Sequence, residues 1–450
     1  MSAFTFPIGT HTPPEHTQAL PDKVDVVIIG GGVVGICAAL FLRRKGFSVF
    51  VCEKGRIAGE QSSRNWGWIR QQGRDPDELP IMIEANRLWH ELAPQLDCDI
   101  GLRQGGIVYF SNDDNELGRY NDFTKLAFEH GLESSLLSSA QVGDLIPSLN
   151  KSYRGALHTP SDMRAEPWLA VPAIARLAQA EGAILREDCA VRRLTMTDGH
   201  VTGVVTEHGK VACEQVLLAG GAWSSLFLQA HGVRIPQLSV RATVVKTSPL
   251  PEIFAGGAVD SELAFRHRSD GGYSLATSST HDLFLGWDGV RHAKLFWPSI
   301  KSDPFNNRIN PFGPKDYPDS WSIKRNWADT DKSPFETTRV LNPAPSKKAL
   351  RIIQRSFDRA FPQFQGWSIA GAWAGLIDTM PDVVPIIDHC AEIPGLTIAT
   401  GMSGHGFGIG PGVGKIVADL MSGHRINHTL TRFRFGRFQD GTPITLGPAL

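Results

Sequence analysis

Residues 24–54, VDVVIIGGGVVGICAALFLRRKGFSVFVCEK, constrain this chain more than any other stretch. Residues 24–29, apolar apart from Asp25, read as a buried parallel strand. Gly30-x-Gly32-x-x-Gly35 follows at once. Gly30 permits the tight turn, Gly32 lets a pyrophosphate approach the backbone, and Gly35 lets a helix pack on the strand. Residues 33–44 read as that helix, with Arg43, Arg44 and Lys45 at its negative dipole end. Gly46 ends it, residues 47–52 form a second strand, and Glu53 closes that strand beside Lys54. A carboxylate there can accept hydrogen bonds from both ribose hydroxyls of an adenine dinucleotide, while the helix N-terminus offers N–H groups to its phosphates. The run is too interrupted for a membrane span, since Asp25 and four glycines fall within it.

The 450 residues suffice for a large core and two domains. A net charge of −1 argues against a nucleic-acid partner. Residues 1–22 are polar and proline-bearing, without the basic start and apolar run of a signal peptide. They read as a loose arm on a cytoplasmic protein. The six cysteines, at 37, 52, 98, 189, 213 and 390, form no CxxC pair and read as reduced thiols, not as a metal site or disulfides.

Residues 59–75, GEQSSRNWGWIRQQGRD, place Ser62, Ser63, Arg64, Asn65, Trp66 and Gly67 on a glycine-flanked loop suited to a phosphate or a ring edge. Helical periodicity appears at 78–96, 115–131, 167–181 and 347–361, and strand patterns at 105–110, 183–194, 201–207 and 211–219. The last runs into Gly220-Gly221-Ala222-Trp223-Ser224, where small residues again let backbone approach a ligand. Residues 237–285 alternate as antiparallel strands do. Residues 287–335 are irregular, proline-rich and aromatic, with Trp297, Phe305, Phe312, Trp321 and Trp327 among them. They suit a lid, a subunit contact, a membrane-surface patch or a buried loop. Residues 401–423, GMSGHGFGIGPGVGKIVADLMSG, repeat the strand–glycine turn–helix device, with Pro411 expected in the first helical turn.

Together the GGGVVG turn with Glu53-Lys54, the GGAWS turn, the WAGLID..PD stretch and the closing GHGFG motif resemble the FAD-dependent amine oxidoreductases, the family of D-amino acid oxidase and dehydrogenase, glycine oxidase and sarcosine oxidase. The resemblance spans roughly residues 22–425 and implies an α/β fold: a Rossmann-like, GR2-type FAD-binding domain plus an antiparallel-sheet substrate domain. The FAD domain would come from residues 22–100, 160–240 and 365–430, and the substrate domain from 101–159 and 241–364, with an N-terminal arm at 1–21 and a tail at 431–450. By the resemblance the pyrophosphate lies on Gly32, Val33 and Val34, the ribose on Glu53, and the adenine beside Val191. Ser62 to Gly67 would follow the ribityl chain and ring. Gly220, Gly221, Trp223, Gly375 and Leu376 would line the cofactor. Met402, Ser403, Gly404, His405, Gly406, Phe407 and Gly408 would wrap the pyrimidine end, with a helix starting near Gly410 aimed at flavin N1 and O2.

In the sarcosine-oxidase-like branch a loop arginine grips the substrate carboxylate, and that position falls on Arg70. Three departures stand out. Gly375 replaces the cysteine that attaches flavin, which implies non-covalent FAD. Gly408 replaces a carboxylate-holding lysine, and the oxygen-assisting lysine falls near Ala276. The implied activity is hydride transfer from an amine carbon to flavin N5, giving an imine that hydrolyses. A D-amino acid dehydrogenase-like enzyme is favoured over a sarcosine or glycine oxidase, an NAD(P)H-dependent flavin hydroxylase or a non-catalytic FAD subunit. Oxygen or a quinone would accept the electrons, the latter with peripheral contact at the inner membrane face. His405, on itself or its backbone, would hydrogen-bond the pyrimidine side. Arg241, Arg266, His267 and His281 are further polar candidates of the second domain.

Overall fold

The computed structural model describes residues 6–278, 281–302, 307–364 and 366–447. Apolar segments too short to stand alone build a six-stranded sheet in the order Ile386–His389, Leu396–Thr400, Gln215–Leu218, Val26–Ile29, Val49–Cys52, Ile184–Arg186. All neighbours are parallel except the first pair. Successive side chains of a strand point to opposite faces, and the first strand is apolar on both. Val26 and Ile28 enter one core cluster with the helices Val33–Arg44, Leu79–Leu92, Pro167–Ala180 and Gly406–Met421. Val27 enters another, beneath the antiparallel meander Val191–Thr197, His200–Thr206, Gly209–Ala212. Helices Val33–Arg44 and Gly406–Met421 approach closely because Gly410 and Gly414 present no side chain: a Cβ on either would lie 2.5 Å from Val33 or Cys37.

A second, larger sheet is mostly antiparallel. Its long central strands, Leu238–Thr247 and Ile369–Thr379, pair along their length. Tyr273–Ala276, Ala264–His267 and Gly257–Val259 continue it to Ile107–Ser111 and Gly155–Thr159. Ile369–Thr379 thus carries the WAGLID motif in the second sheet, whereas the family resemblance groups residues 365–430 with the FAD domain. A small sheet of Trp68–Ile69, Met163–Arg164 and Arg103–Gln104 joins the two layers.

The structure corrects two expectations and divides a third region. The arm is not loose from residue 6 onward: Ile8 and His16 are buried, Arg64 donates to the Ile8 carbonyl, and Arg56 donates to that of Thr12. The closing helix begins at Gly406, so Pro411 lies inside it and not in its first turn. Residues 287–335 divide. Tyr317, Trp327 and Phe335 are buried in the core beside the meander, whereas Trp287, Trp297, Phe312 and Trp321 are exposed on short helices and loops. Phe305 lies outside the described residues. No described helix is long and apolar enough to cross a membrane.

Candidate active site

The two sheets enclose a cavity of about 600 Å³. One end is built almost wholly from backbone. Gly30 holds φ +113°, and a Cβ there would overlap the Ala219 carbonyl. Gly35 lets the helix cross the turn, since a Cβ would strike the Gly30 carbonyl oxygen. Gly32 caps the first helix with no side-chain bond, and Ser62 Oγ accepts from Val33 N at 2.9 Å. Glu53 accepts from Gly31 N and Gly55 N, each at 2.7 Å, and its burial pushes its pKa up to about 7. Cys52, Cys189 and Val191 lie at the same end.

The two other glycine turns are stitched together by a buried polar knot. Gln237 Nε2 donates to the carbonyl of Gly221 at 3.1 Å, to Thr400 at 3.0 Å and to Asp378 at 3.2 Å. Asp378 in turn accepts from Gly401 N at 2.8 Å and its carbonyl accepts from Ser403 N at 2.9 Å. Asp378 is the acid of the WAGLID stretch, so that motif fixes the turn that follows it. Gln237 is marked by nothing in the sequence.

Most of the expected residues line this one cavity: Gly30, Gly32, Val33, Val34, Glu53, Lys54, Ser62, Arg64, Asn65, Trp66, Arg70, Val191, Gly220, Gly221, Trp223, Gly375, Leu376 and 402–408. Gly35, Ser63 and Gly67 do not. Ser63 is turned into the protein on the short helix Gln61–Arg64, and Gly67, at φ +76°, lies tight against the Ala165 carbonyl. Several polar side chains are engaged elsewhere. Arg64 donates to the carbonyls of Gly59, Ala374 and Ile8 and to Asn342. Asn65 folds back on Gln61, Ser62 and Gly67. Lys54 pairs with Glu60 at 2.6 Å and reaches the carbonyls of Thr338 and Arg339. These groups hold the wall of the cavity in place.

The far end is made of side chains from distant segments: Trp68, Arg70, Arg74, Tyr109, Tyr120 and His405, and His281 also lines the cavity. Arg70 is half-buried, donates to the Gln72 carbonyl at 2.6 Å, and stands over the Tyr109 ring at 5.6 Å. Among the described residues no carboxylate forms an ion pair with it. Burial lowers His281 to about 4. The other second-domain candidates do not line the cavity: Arg241 is paired with Asp282 and Arg266 with Glu166 in full burial, while His267 lies near Glu252 with its pKa lowered by burial. Ala276 sits in an apolar cluster with Trp68, Ile107, Val244 and Trp373.

The model of one protein family, DAO, described as FAD dependent oxidoreductase, matches residues 25–420. The chain belongs to that family. An L-amino acid deaminase from Proteus myxofaciens, solved in complex with anthranilate, superposes with a TM-score of 0.90 at 27% identity, covering 96% of this chain and 98% of that one. Sarcosine oxidase subunit beta from an Arthrobacter species is 24% identical over 95% of this chain and 96% of its own length. Human mitochondrial sarcosine dehydrogenase is 27% identical, but the match covers 53% of this chain and only 27% of that protein. The chain therefore spans about a quarter of the length of that relative. The residues present fit the family's FAD. The glycine cradle lets a pyrophosphate approach the start of the first helix, where Ser62 holds the Val33 N–H, and Glu53 stands at the end of the second strand.

Proposed function

We propose that this protein oxidises the α-amine of an amino acid, with Arg70 as the anchor of the substrate carboxylate. The observation that carries this reading is Arg70 itself: a guanidinium on the wall of the cofactor's own cavity, ion-paired with no carboxylate among the described residues. An arginine fork so placed suits two parallel bonds to a carboxylate. Bound FAD supplies a hydride acceptor at N5. The chain's part is to orient the amine-bearing carbon and to exclude water through the walls around Trp68 and Tyr109. The imine then takes up water to give a carbonyl compound and ammonia, or an amine where the substrate is N-methylated.

An L-amino acid is the first substrate class, supported by the extent of the likeness to L-amino acid deaminase. The motifs' likeness to D-amino acid dehydrogenase makes D-amino acids a second class. The match to a sarcosine oxidase subunit makes N-methyl amino acids a third. We further propose that the FAD is held without a covalent bond, since Gly375 offers no nucleophile and the cysteines on the cavity wall, Cys52 and Cys189, lie beside Glu53 and Val191. The apolar surroundings of Ala276 leave no polar setting for a cation there, which favours a quinone-type acceptor over oxygen. The exposed Trp287, Trp297, Phe312 and Trp321 suit peripheral contact with the cytoplasmic face of a membrane carrying it.

Arg70→Ala tests the reading. With any amino acid that reduces the flavin, KM should rise roughly 10- to 100-fold, as loss of a charge-assisted bidentate contact requires. The corresponding amine without its carboxylate should be unaffected. An unchanged KM for the amino acid would remove Arg70 as anchor.

A further inference from the structure

Asp382 closes the WAGLID..PD motif, yet neither it nor the equally buried Asp75 lines the cavity. Both take their counter-charge from the closing segment 431–447. Arg437, itself 3% exposed, grips Asp382 with a fork, Nε to Oδ2 at 2.8 Å and Nη2 to Oδ1 at 3.0 Å. Arg432 Nη2 pairs with Asp75 Oδ2 at 3.0 Å. Among the described residues no other cation is ion-paired with either aspartate. Between them Gly447 N donates to the Asp382 carbonyl at 3.0 Å, and a Cβ on Gly447 would lie 3.3 Å from Asp75 Oδ2. One stretch of chain therefore ties two distant loops together. The stretch is firmly seated: Phe433 enters one core cluster and Phe435 another, and Phe435 N donates to Asp388 of the sheet's edge strand at 2.9 Å.

Both loops lead to the glycine turn 402–408 that lines the cavity. Val383, next to Asp382, has φ +63°, a conformation that β-branched residues avoid. Arg437 brackets it, bound to Asp382 before it and to the Val384 carbonyl after it at 2.6 Å. Val383 N donates to the Met380 carbonyl at 3.1 Å, and Met380 N donates to Ser403 Oγ at 3.2 Å. From Asp75 the path runs through the helix Leu79–Leu92. The Asp75 carbonyl accepts from Glu78 N at 3.0 Å and Leu79 N at 2.9 Å, at the start of that helix. Trp89, near its end, donates through Nε1 to the Gly408 carbonyl at 2.9 Å and packs its ring against Phe407 at 5.2 Å. Ser403 and Gly408, towards the two ends of the turn, are thus fastened through Asp382 and Asp75 to the same segment.

We propose that Arg432 and Arg437 are positioning residues for the cofactor: by holding Asp75 and Asp382 they keep the turn 402–408 in the shape that receives FAD. The turn cannot supply this order itself. It contains Gly404, Gly406 and Gly408, and Ser403 and Gly404 hold positive φ, so its chain loses much freedom when fixed. A shape fixed beforehand spares the ligand that cost on binding. The proposal goes beyond the amine-oxidising reading and does not depend on it.

The test is titration of FAD-free wild type, Arg432→Met and Arg437→Met with FAD, with melting temperatures measured in the same buffer. Methionine keeps apolar bulk but neither charge nor fork. Ile353→Ala, in the core beside Phe357 of the second sheet, is the control for destabilisation alone. Arg437→Met should raise the Kd for FAD about tenfold and Arg432→Met about threefold, as loss of preorganisation requires. The visible circular dichroism of the bound flavin should change in both. Ile353→Ala should melt lower but keep the wild-type Kd and dichroism.

Removing one member of a buried pair can prevent folding. If Arg437→Met does not fold, the double variant Asp382→Asn with Arg437→Met, which leaves neither charge buried alone, carries the test, and it too must bind FAD weakly. A wild-type Kd in a folded arginine variant or in the double variant overturns the proposal. An equal loss of affinity in Ile353→Ala also overturns it, because the effect would then be stability alone.

Discussion

The two ends of the cavity are built on different principles. The end beside Glu53 is made largely of backbone: glycines at a tight turn, a helix start whose first N–H is held by Ser62, and one carboxylate holding two amides. The end beside Arg70 is made of long polar side chains carried by separate segments, several with unmet atoms. A backbone site is fixed by sterics and admits one class of ligand. A side-chain site can be retuned residue by residue without disturbing the sheet beneath it, and this is where members of one fold can differ in substrate.

The contrast is broken most severely at Gly30. Gly30→Ala should cost more than about 3 kcal/mol, because it combines a strained φ with overlap against the Ala219 carbonyl. Little FAD-loaded protein should be recovered, and the remainder should melt well below the wild type. A wild-type melting temperature would mean that the turn can relax, and that the end is less rigid than its geometry implies.

Next in size is Arg64→Ala. Loss of its buried donations to Gly59, Ala374, Ile8 and Asn342 should destabilise the fold by about 3 kcal/mol, read by urea unfolding. If FAD affinity falls while stability is retained, Arg64 is a ligand contact and the wall is not the inert frame described above.

Glu53 gives a smaller, pH-dependent effect. Its folded pKa near 7 exceeds the ordinary 4.5, so the FAD-free folded state holds this proton more tightly than the unfolded chain. The group's contribution to stability is therefore full at low pH and declines as pH rises from 4.5 to 7. Ribose hydroxyls donating to the carboxylate favour its ionised form, so FAD affinity should strengthen as pH rises through 7. Glu53→Gln should bind FAD roughly tenfold more weakly at pH 8 and show a flatter pH dependence. An identical slope in the variant would assign the titration to another group.

Smallest is the exposed rim. Trp297→Ala should change stability by less than about 0.5 kcal/mol, since the side chain is 63% exposed. It should nevertheless lower flotation of the protein with liposomes. Equal flotation of the two proteins would leave the aromatic patch without a membrane role.

Much of this architecture was legible in the sequence, for a physical reason. Glycine turns constrain consecutive residues, so Gly30 to Gly35 and residues 401–408 announce themselves in a single chain. Direction is not legible in the same way. Ser63 and Arg64 have the composition of ligand contacts, but one turns into the protein and the other ties carbonyls together. The end of the cavity near Arg70 joins Tyr109, Arg74, Glu78 and His405 across more than three hundred residues, a meeting that no local pattern records. Proline's propensity for a first turn points to a helix start near Gly410, whereas Pro411 lies within a helix already begun at Gly406. The N-terminal arm looked solvated by composition, but its carbonyls are the acceptors of buried arginines.

Anaerobic mixing of the FAD-loaded protein with L-amino acids, D-amino acids and N-methyl amino acids, followed by the flavin absorbance, tests amine oxidation most directly. One of these classes, L-amino acids first, should bleach the flavin, and a quinone analogue should restore its colour faster than oxygen does. A flavin that stays oxidised with every amine but is bleached by NADPH would contradict amine oxidation and return the protein to the hydroxylase reading.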